Sequence, residues 1–291
     1  MKKYDLMILG PATRDVNIDY TGAVDRCVGG AVTFCTPAAR AANPSVFSAV
    51  KIAPEDRDIL DVFNMDPEDI ALLPSAKTTL MRNEYFTADR ERRNASCAAQ
   101  SDPIRPEELP AVECRLTHLA GLLYGDFPNE LIEALKQRGM VSADAQGFLR
   151  HNDGGKLVFC DWADKRKYLP YFDLLKTDAA EAEILTGTDD RVAAAKMLYD
   201  WGAKEILITH NSEVLVYDGK DIYTCPIKAR NLSGRTGRGD TTFASYINER
   251  LTQDIPTALK TATALVSLKM ETPGPYMGTR EDLDAYMKEF F

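Results

Sequence analysis

The sequence predicts an α/β fold: a mostly parallel central sheet with helices on both faces and a small separate β-sheet beside it. Three features carry that expectation. From about residue 156 onward strand-like and helix-like stretches alternate, and chains that alternate in this way build parallel sheets through crossover helices. After a glycine-rich loop at 234–239 only helical patterns remain. The N-terminal third differs, with partly polar, alternating strand-like stretches that have no helix between neighbours.

The elements follow in order. Residues 4–10 are an apolar run that reads as a first strand; it is too short for a secretory signal and lacks a small-residue cleavage site. Residues 14–20 and 78–87 alternate like half-buried strands. A turn at Ala88 and Asp89, with a return through 92–97, makes the second of these a hairpin. These excursions, near 11–35 and 77–105, are expected to form a lid sheet within one domain spanning residues 1–291. An edge extension of the main sheet is the alternative. Residues 129–138 form an amphipathic helix, and the short apolar runs 157–161 and 172–176 suit buried strands. Residues 179–185 and 191–201 are rich in helix formers, and 205–209 reads as a strand. Residues 214–217 and 222–225 flank the Asp218-Gly219 turn signal of a hairpin. Helices are expected over 240–251, 256–270 and 280–290, with Pro256 suited to a first turn.

Composition narrows the function class. Of 291 residues, 45% are hydrophobic and 27% charged, the proportions of a globular chain. No run approaches a membrane span, and a net charge of −9 argues against non-specific nucleic-acid binding. Cys27, Cys35, Cys97, Cys114, Cys160 and Cys225 are scattered without a C-x-x-C pair, so buried free thiols in a reducing cytoplasm are expected. His118, His151 and His210 stand alone, which disfavours zinc.

The chemistry concentrates in Ser233-Gly-Arg-Thr-Gly-Arg-Gly-Asp240, which runs into a helical pattern. Glycines let the backbone approach a ligand, and the free N–H groups and dipole of a helix start favour phosphate. Asp240 is then a carboxylate beside an anion site, placed to take a proton from an attacking hydroxyl. Its plainer role is a helix N-cap. No G-x-x-x-x-G-K-[ST] motif occurs, so a P-loop is not expected.

On these residues the sequence resembles the ribokinase-like (PfkB) carbohydrate kinases over essentially its full length. Thr236-Gly-Arg-Gly-Asp240 is similar to that family's Gly-x-Gly-Asp at a helix start. Asp178-Ala-Ala-Glu181, leading to Leu185-Thr-Gly187, is similar to its Asn-x-x-Glu motif, with Asp178 in place of asparagine. Gly10, Asp15 and Gly29-Gly30 match the amino-terminal motif. Two departures stand out: Ala31 follows the glycine pair where the family has asparagine, and His210-Asn211-Ser212 replaces a glycine expected after Thr209.

The resemblance implies a ribokinase-like three-layer α/β/α sandwich with a β lid, and it implies roles. Asp240 is the general base, and the N–H groups of Gly237, Arg238 and Gly239 stabilise the transferring phosphoryl group. The Arg238 side chain is read as directed to solvent, with a phosphate contact as the alternative. Asp178, Thr209, Arg235 and Thr236 lie on the nucleotide side, and Glu181 organises Mg²⁺ through water. Asp15, Gly29 and Gly30 meet the acceptor. The run Ser142-Ala-Asp-Ala-Gln-Gly-Phe-Leu-Arg150 is similar to one in myo-inositol and related cyclitol kinases, which implies acceptor contacts for Gln146 and Arg150, with Asn83 and Arg92 covering from the lid. The plainer readings are a solvated helix glutamate for Glu181, a turn residue for Asp15, a hairpin bend for the glycine pair and surface polarity for Asn83 and Arg92.

The implied activity is ATP-dependent, Mg²⁺-requiring phosphorylation of a small polyol, a cyclitol such as myo-inositol or an inosose, with K⁺ an open third cofactor. The alternatives are a kinase of another sugar or a nucleoside, and a silent metabolite sensor of the same fold. A homodimer through the lid is the expected assembly, with no nucleic-acid or membrane partner.

Overall fold

The structure is a computed structural model that describes residues 2–87 and 93–291. The expected turn at Ala88 and Asp89, and Arg92, lie outside the described residues. In chain order the first strands are β1 (Lys3–Pro11), β2 (Thr13–Ile18), β3 (Val24–Gly29), β4 (Val46–Ile52), β5 (Ile70–Pro74), β6 (Thr79–Tyr85) and β7 (Arg93–Ala99). Next come β8 (Glu113–Leu119), β9 (Met140–Asp144), β10 (Arg150–Asp153), β11 (Lys156–Phe159) and β12 (Leu174–Asp178). The last are β13 (Ile206–Thr209), β14 (Glu213–Tyr217) and β15 (Ile222–Pro226). The helices are α1 (Ala31–Ala42), α2 (Asn129–Lys136), α3 (Gln146–Leu149), α4 (Lys165–Tyr168) and α5 (Ala179–Thr186). They continue with α6 (Arg191–Asp200), α7 (Arg238–Arg250), α8 (Ile255–Lys269) and α9 (Arg280–Phe290).

Among the described residues, nine strands form a sheet in the order β15-β14-β13-β12-β9-β8-β1-β4-β5. Pairing is parallel from β13 to β5, and β14 runs antiparallel to both of its neighbours. Side-chain alternation splits the core into two layers. From β1, Leu6 and Ile8 enter a core shared with α1, α7, α8 and α9, while Met7 and Leu9 enter one shared with α2, α5 and α6. That is the three-layer sandwich, and no described helix is long and apolar enough to cross a membrane.

The second sheet has the order β10-β11-β7-β6-β2-β3. Residues 13–18, 79–85 and 93–99 enter it as the alternation predicts. The apolar run at 157–161 does not join the main sheet: Lys156–Phe159 pairs with β10 and β7 in the second sheet, on an exposed to half-buried surface. A run of three apolar residues does not say which sheet it joins. The thiols correct another expectation. None of the six cysteines, all of them described, is in a disulfide, but only Cys35 and Cys97 are buried; Cys27 on edge strand β3 and Cys160 beyond β11 are exposed.

Candidate active site

The parallel strands deliver their polar residues at their C-terminal ends, where α/β sheets gather ligands. Asp144 closes β9, Asp178 closes β12 just after Lys176, and Thr209 closes β13. The loop 235–239 and the start of α7 face them across a cleft of about 440 Å³.

Helix α7 starts on Gly237, not on Asp240. Gly237 is the N-cap with φ +75°, and a Cβ there would stand 2.2 Å from Cδ1 of Phe34, so only glycine fits. Asp240 therefore occupies the third helical position, and its carboxylate caps nothing. The plainer N-cap role is overturned. The Arg238 N–H turns back to the Arg235 carbonyl at 3.3 Å, and the Thr241 N–H bonds Gly237 O at 2.9 Å. Helix geometry leaves the N–H groups of Gly239 and Asp240 for a ligand, while that of Arg238, expected to face the phosphoryl group, is taken by the turn. A Cβ on Gly239 would lie 3.1 Å from the Lys176 ammonium, so this glycine lets Lys176 approach the loop.

Lys176 is the centre of a buried charge cluster. Its Nζ donates to both Asp144 carboxylate oxygens at 2.9 and 3.1 Å and lies 3.5 Å from Glu181 Oε2. Burial disfavours the ammonium, but the carboxylates of Asp144, Glu181, Asp178 and Asp240 outweigh burial and raise its pKa. Asp178 and Glu181 form a capping box on α5, each side chain accepting the other's backbone N–H at 2.8 Å. Glu181 is thus buried and tied down rather than solvated. Burial raises Glu181 to about 7, with Lys176 countering. Burial, then the charge of Asp144, raises Asp240 to about 6 against the pull of Lys176, Arg150 and Lys269.

A second lobe of about 760 Å³ continues from the cleft, sharing Arg93, Gln146, Asp178 and Glu181 and adding Arg150, Ser96, Lys156 and Phe159. Arg150 is buried and its Nε donates to Leu122 O at 2.9 Å, while Nη2 is buried with no partner among the described residues. A buried donor of that kind is costly unless a ligand takes its hydrogen bond.

A family model for pfkB family carbohydrate kinases matches residues 85–281. The chain belongs to the PfkB family. A pyrophosphate-dependent kinase of the ribokinase family, solved with a pyrophosphate analog and myo-inositol, is 35% identical; the likeness covers 96% of this chain and 99% of that one, with a TM-score of 0.86. A pyrophosphate-dependent myo-inositol-1 kinase, converted to a myo-inositol-3 kinase by two substitutions, is 34% identical over 98% and 99% of the two chains, TM-score 0.86. Ribokinase from Thermotoga maritima shares the fold at 15% identity, 98% and 99% coverage and TM-score 0.76. Among curated proteins, the cytidine kinase of Thermococcus kodakarensis is 33% identical over 108 residues, 32% of this chain and 39% of that enzyme.

In this PfkB kinase the expected donor-side residues meet: Asp178, Glu181, Thr209, Arg235, Thr236, Gly237, Arg238, Gly239 and Asp240 all line the cleft. Arg238 does so with its half-buried side chain rather than pointing to solvent. Gln146 lines both lobes and Arg150 the second. Asp15, Gly29, Gly30 and Asn83 line neither lobe. Asp15 is half-buried and accepts from Thr13 Oγ1, and burial raises its acid against the opposing pull of that hydrogen bond, Arg93 and Arg150. Gly29 makes room for that carboxylate, since a Cβ would sit 2.3 Å from Asp15 Oδ2. Gly30 is the N-cap of α1 with φ +92°, so the glycine pair is no simple hairpin bend. Asn83 is buried and donates to Asn17 Oδ1 at 3.0 Å. Sequence reasoning missed Lys176, Asp144, Arg93 and Asn211. The signal for Lys176 was present: a lysine inside the buried strand Leu174-Leu-Lys-Thr-Asp178.

Proposed function

We propose that this chain transfers a phosphoryl group from inorganic pyrophosphate to a hydroxyl of a cyclitol, with myo-inositol the first acceptor to test. One observation carries the donor: among the described residues lining the cleft at Asp240 none is aromatic or aliphatic, while Arg93, Lys176, Arg235 and Arg238 are basic. Such a lining recognises phosphate oxygens and offers a purine ring nothing to stack on. The 34–35% identical structures described as pyrophosphate-dependent support the same reading, and one of them carries myo-inositol.

The acceptor enters the second lobe, where Arg150 Nη2 and Gln146 meet its hydroxyls. Asp240 takes the hydroxyl proton as the acceptor oxygen forms its bond to phosphorus, the bridging P–O bond breaks, and inorganic phosphate leaves. The N–H groups of Gly239 and Asp240, with Lys176, stabilise charge on the transferring group. The residues fit Mg²⁺ in one respect: Asp178 and Glu181 bring two oxygen donors to the cleft wall, the kind of set that binds this ion together with donor phosphates. Glu181 and Asp178 would hold the ion's waters, and Mg²⁺ would neutralise donor phosphate oxygens. The second sheet acts as a lid, since Arg93–Ser96 and Lys156–Phe159 wall the acceptor lobe.

ATP, the donor expected from sequence, is the second reading, and one observation favours it. A cavity of about 670 Å³ combines aromatic and apolar Leu268, Tyr276, Met277 and Tyr286 with charged residues such as Arg230 and Glu271, and its wall includes Thr272, against which Gly234 of the loop packs. The test is product formation from myo-inositol, scyllo-inosose, ribose, fructose and cytidine with either donor, beside Asp240→Asn. Pyrophosphate-driven turnover of a cyclitol, lost in the variant, is expected. ATP-driven turnover overturns the donor, turnover of a sugar or nucleoside overturns the acceptor, and silence with both donors overturns the enzyme.

A further inference from the structure

The same loop that turns N–H groups toward the cleft must turn carbonyls away from it. The carbonyls of Gly234 and Thr236 both converge on the ammonium of Lys269, at 2.5 Å for Gly234. Lys269 is the last residue of α8 and is fully buried. The Gly234 carbonyl is buried and that of Thr236 partly so; carbonyls withdrawn from water require a partner, and two of them converging on one point are the chemistry of a monovalent cation site. Here a side chain fills that point.

We infer that Lys269 is a built-in monovalent cation for the anion loop, holding its carbonyls so that its N–H groups face the donor, and that the chain needs no K⁺ there. K⁺ was left open by the sequence; these residues do not fit it, because an ammonium already occupies the carbonyls. The surroundings are built for a fixed charge. The C-terminal end of α8 supplies negative potential. The Lys269 ammonium also lies 5.3 Å from the centroid of the Phe34 ring, the ring that stands behind Gly237. The loop is seated on the same helix end: the Gly234 N–H donates to Met270 O at 2.8 Å, and Ser233 Oγ donates to Glu271 O at 2.8 Å. A Cβ on Gly234 would stand 1.8 Å from Thr272 O, so the seat is too close for any side chain. Burial lowers the Lys269 amine to about 8, and the charge of Asp240 pulls the other way, so the group is cationic at neutral pH. Lys269 lines neither lobe of the cleft and is a positioning residue.

The inference rests on the kinase reading for its activity arm only, and the experiment separates the two. Pyrophosphate and Mg-ATP binding would be measured by calorimetry, and turnover alongside, in buffers holding Na⁺, K⁺ or NH₄⁺. The wild type is expected to bind and turn over alike in all three. Lys269→Ala, which opens space at the carbonyls, is expected to bind pyrophosphate about 10–100-fold more weakly in Na⁺, the loss of hydrogen bonds to a charged group, with recovery in K⁺ or NH₄⁺. Lys269→Met, which keeps an apolar stem in that space, is expected to weaken without recovery. A wild type that requires K⁺ overturns the inference whether or not either variant folds. So does a Lys269→Ala protein that matches wild type in Na⁺. Failure of the wild type to bind either donor sinks the kinase reading instead. The loop is then judged by melting: a K⁺-dependent rise in midpoint in Lys269→Ala but not in wild type supports the inference, and an equal response in both overturns it.

Discussion

Replacing Asp240 with asparagine should make the protein more stable at neutral pH while abolishing transfer. The carboxylate is raised from 3.8 to about 6, so the folded state holds its proton more tightly than the unfolded chain does. The sign follows from linkage: between those two values the folded state binds more protons, and stability falls as pH rises. The penalty is absent below about pH 4 and complete above about pH 6. Unscreened, the shift corresponds to about 3 kcal/mol. Asp240 is only half-buried, so solvent screens part of that charge, and about 1–2 kcal/mol is the expected gain in Asp240→Asn at pH 7.5. Asparagine keeps the volume, and no cap is lost because the Asp240 side chain caps nothing. The assay is urea unfolding of both proteins at pH 7.5 and pH 4. The variant should lead at the higher pH and match wild type at the lower. A variant less stable than wild type at pH 7.5 would refute the reasoning, because the carboxylate would then be held by its lysine neighbours more strongly than burial opposes it.

Two further outcomes follow from the same geometry. With Asp240 as the base, kcat/KM should rise tenfold per pH unit and level off near pH 6, following the Asp240 carboxyl that burial and then Asp144 raise against Lys176, Arg150 and Lys269; a flat profile between pH 5 and 7 removes Asp240 from the proton transfer. Gly237→Ala should cost about 1–3 kcal/mol in thermal or urea unfolding and eliminate donor binding, because φ is +75° and the new methyl meets Phe34; near-wild-type melting together with donor binding would show that the loop does not need this glycine.

What could be read in advance was local. The glycine loop, the Asp178–Glu181 pair and the strand ends are carried by residues adjacent in sequence, and turn and capping chemistry is local chemistry. The same locality misled at Asp240, because a glycine cap and an aspartate cap are spelled alike when both residues are present, and only the positive φ at Gly237 decides between them. Strands β4, β8 and β9 escaped the sequence reading because strands buried on both faces carry no period to detect. The 157–159 run failed for a different reason: it forms a hairpin with β10 across Asp153-Gly154-Gly155, a local turn signal left unread, while β7, which ties that hairpin to the second sheet, lies more than fifty residues upstream.

The two buried lysines show how far such reading can be pushed. Lys176 stands in an apolar strand and Lys269 at the end of an apolar helix, and an isolated ammonium in either place would cost several kcal/mol. A lysine at such a position therefore implies a partner, even before the partner is known. What the sequence withholds is which kind. Lys176 meets a carboxylate 32 residues away, Asp144, and lines the cleft with Arg235 and Arg238. Lys269 meets carbonyls 33 and 35 residues away and faces the back of the loop. One ammonium sits among carboxylates at the cleft, the other between backbone carbonyls and the Phe34 ring. On the function proposed above, that difference assigns Lys176 to the transfer step and Lys269 to the loop that presents the N–H groups to it.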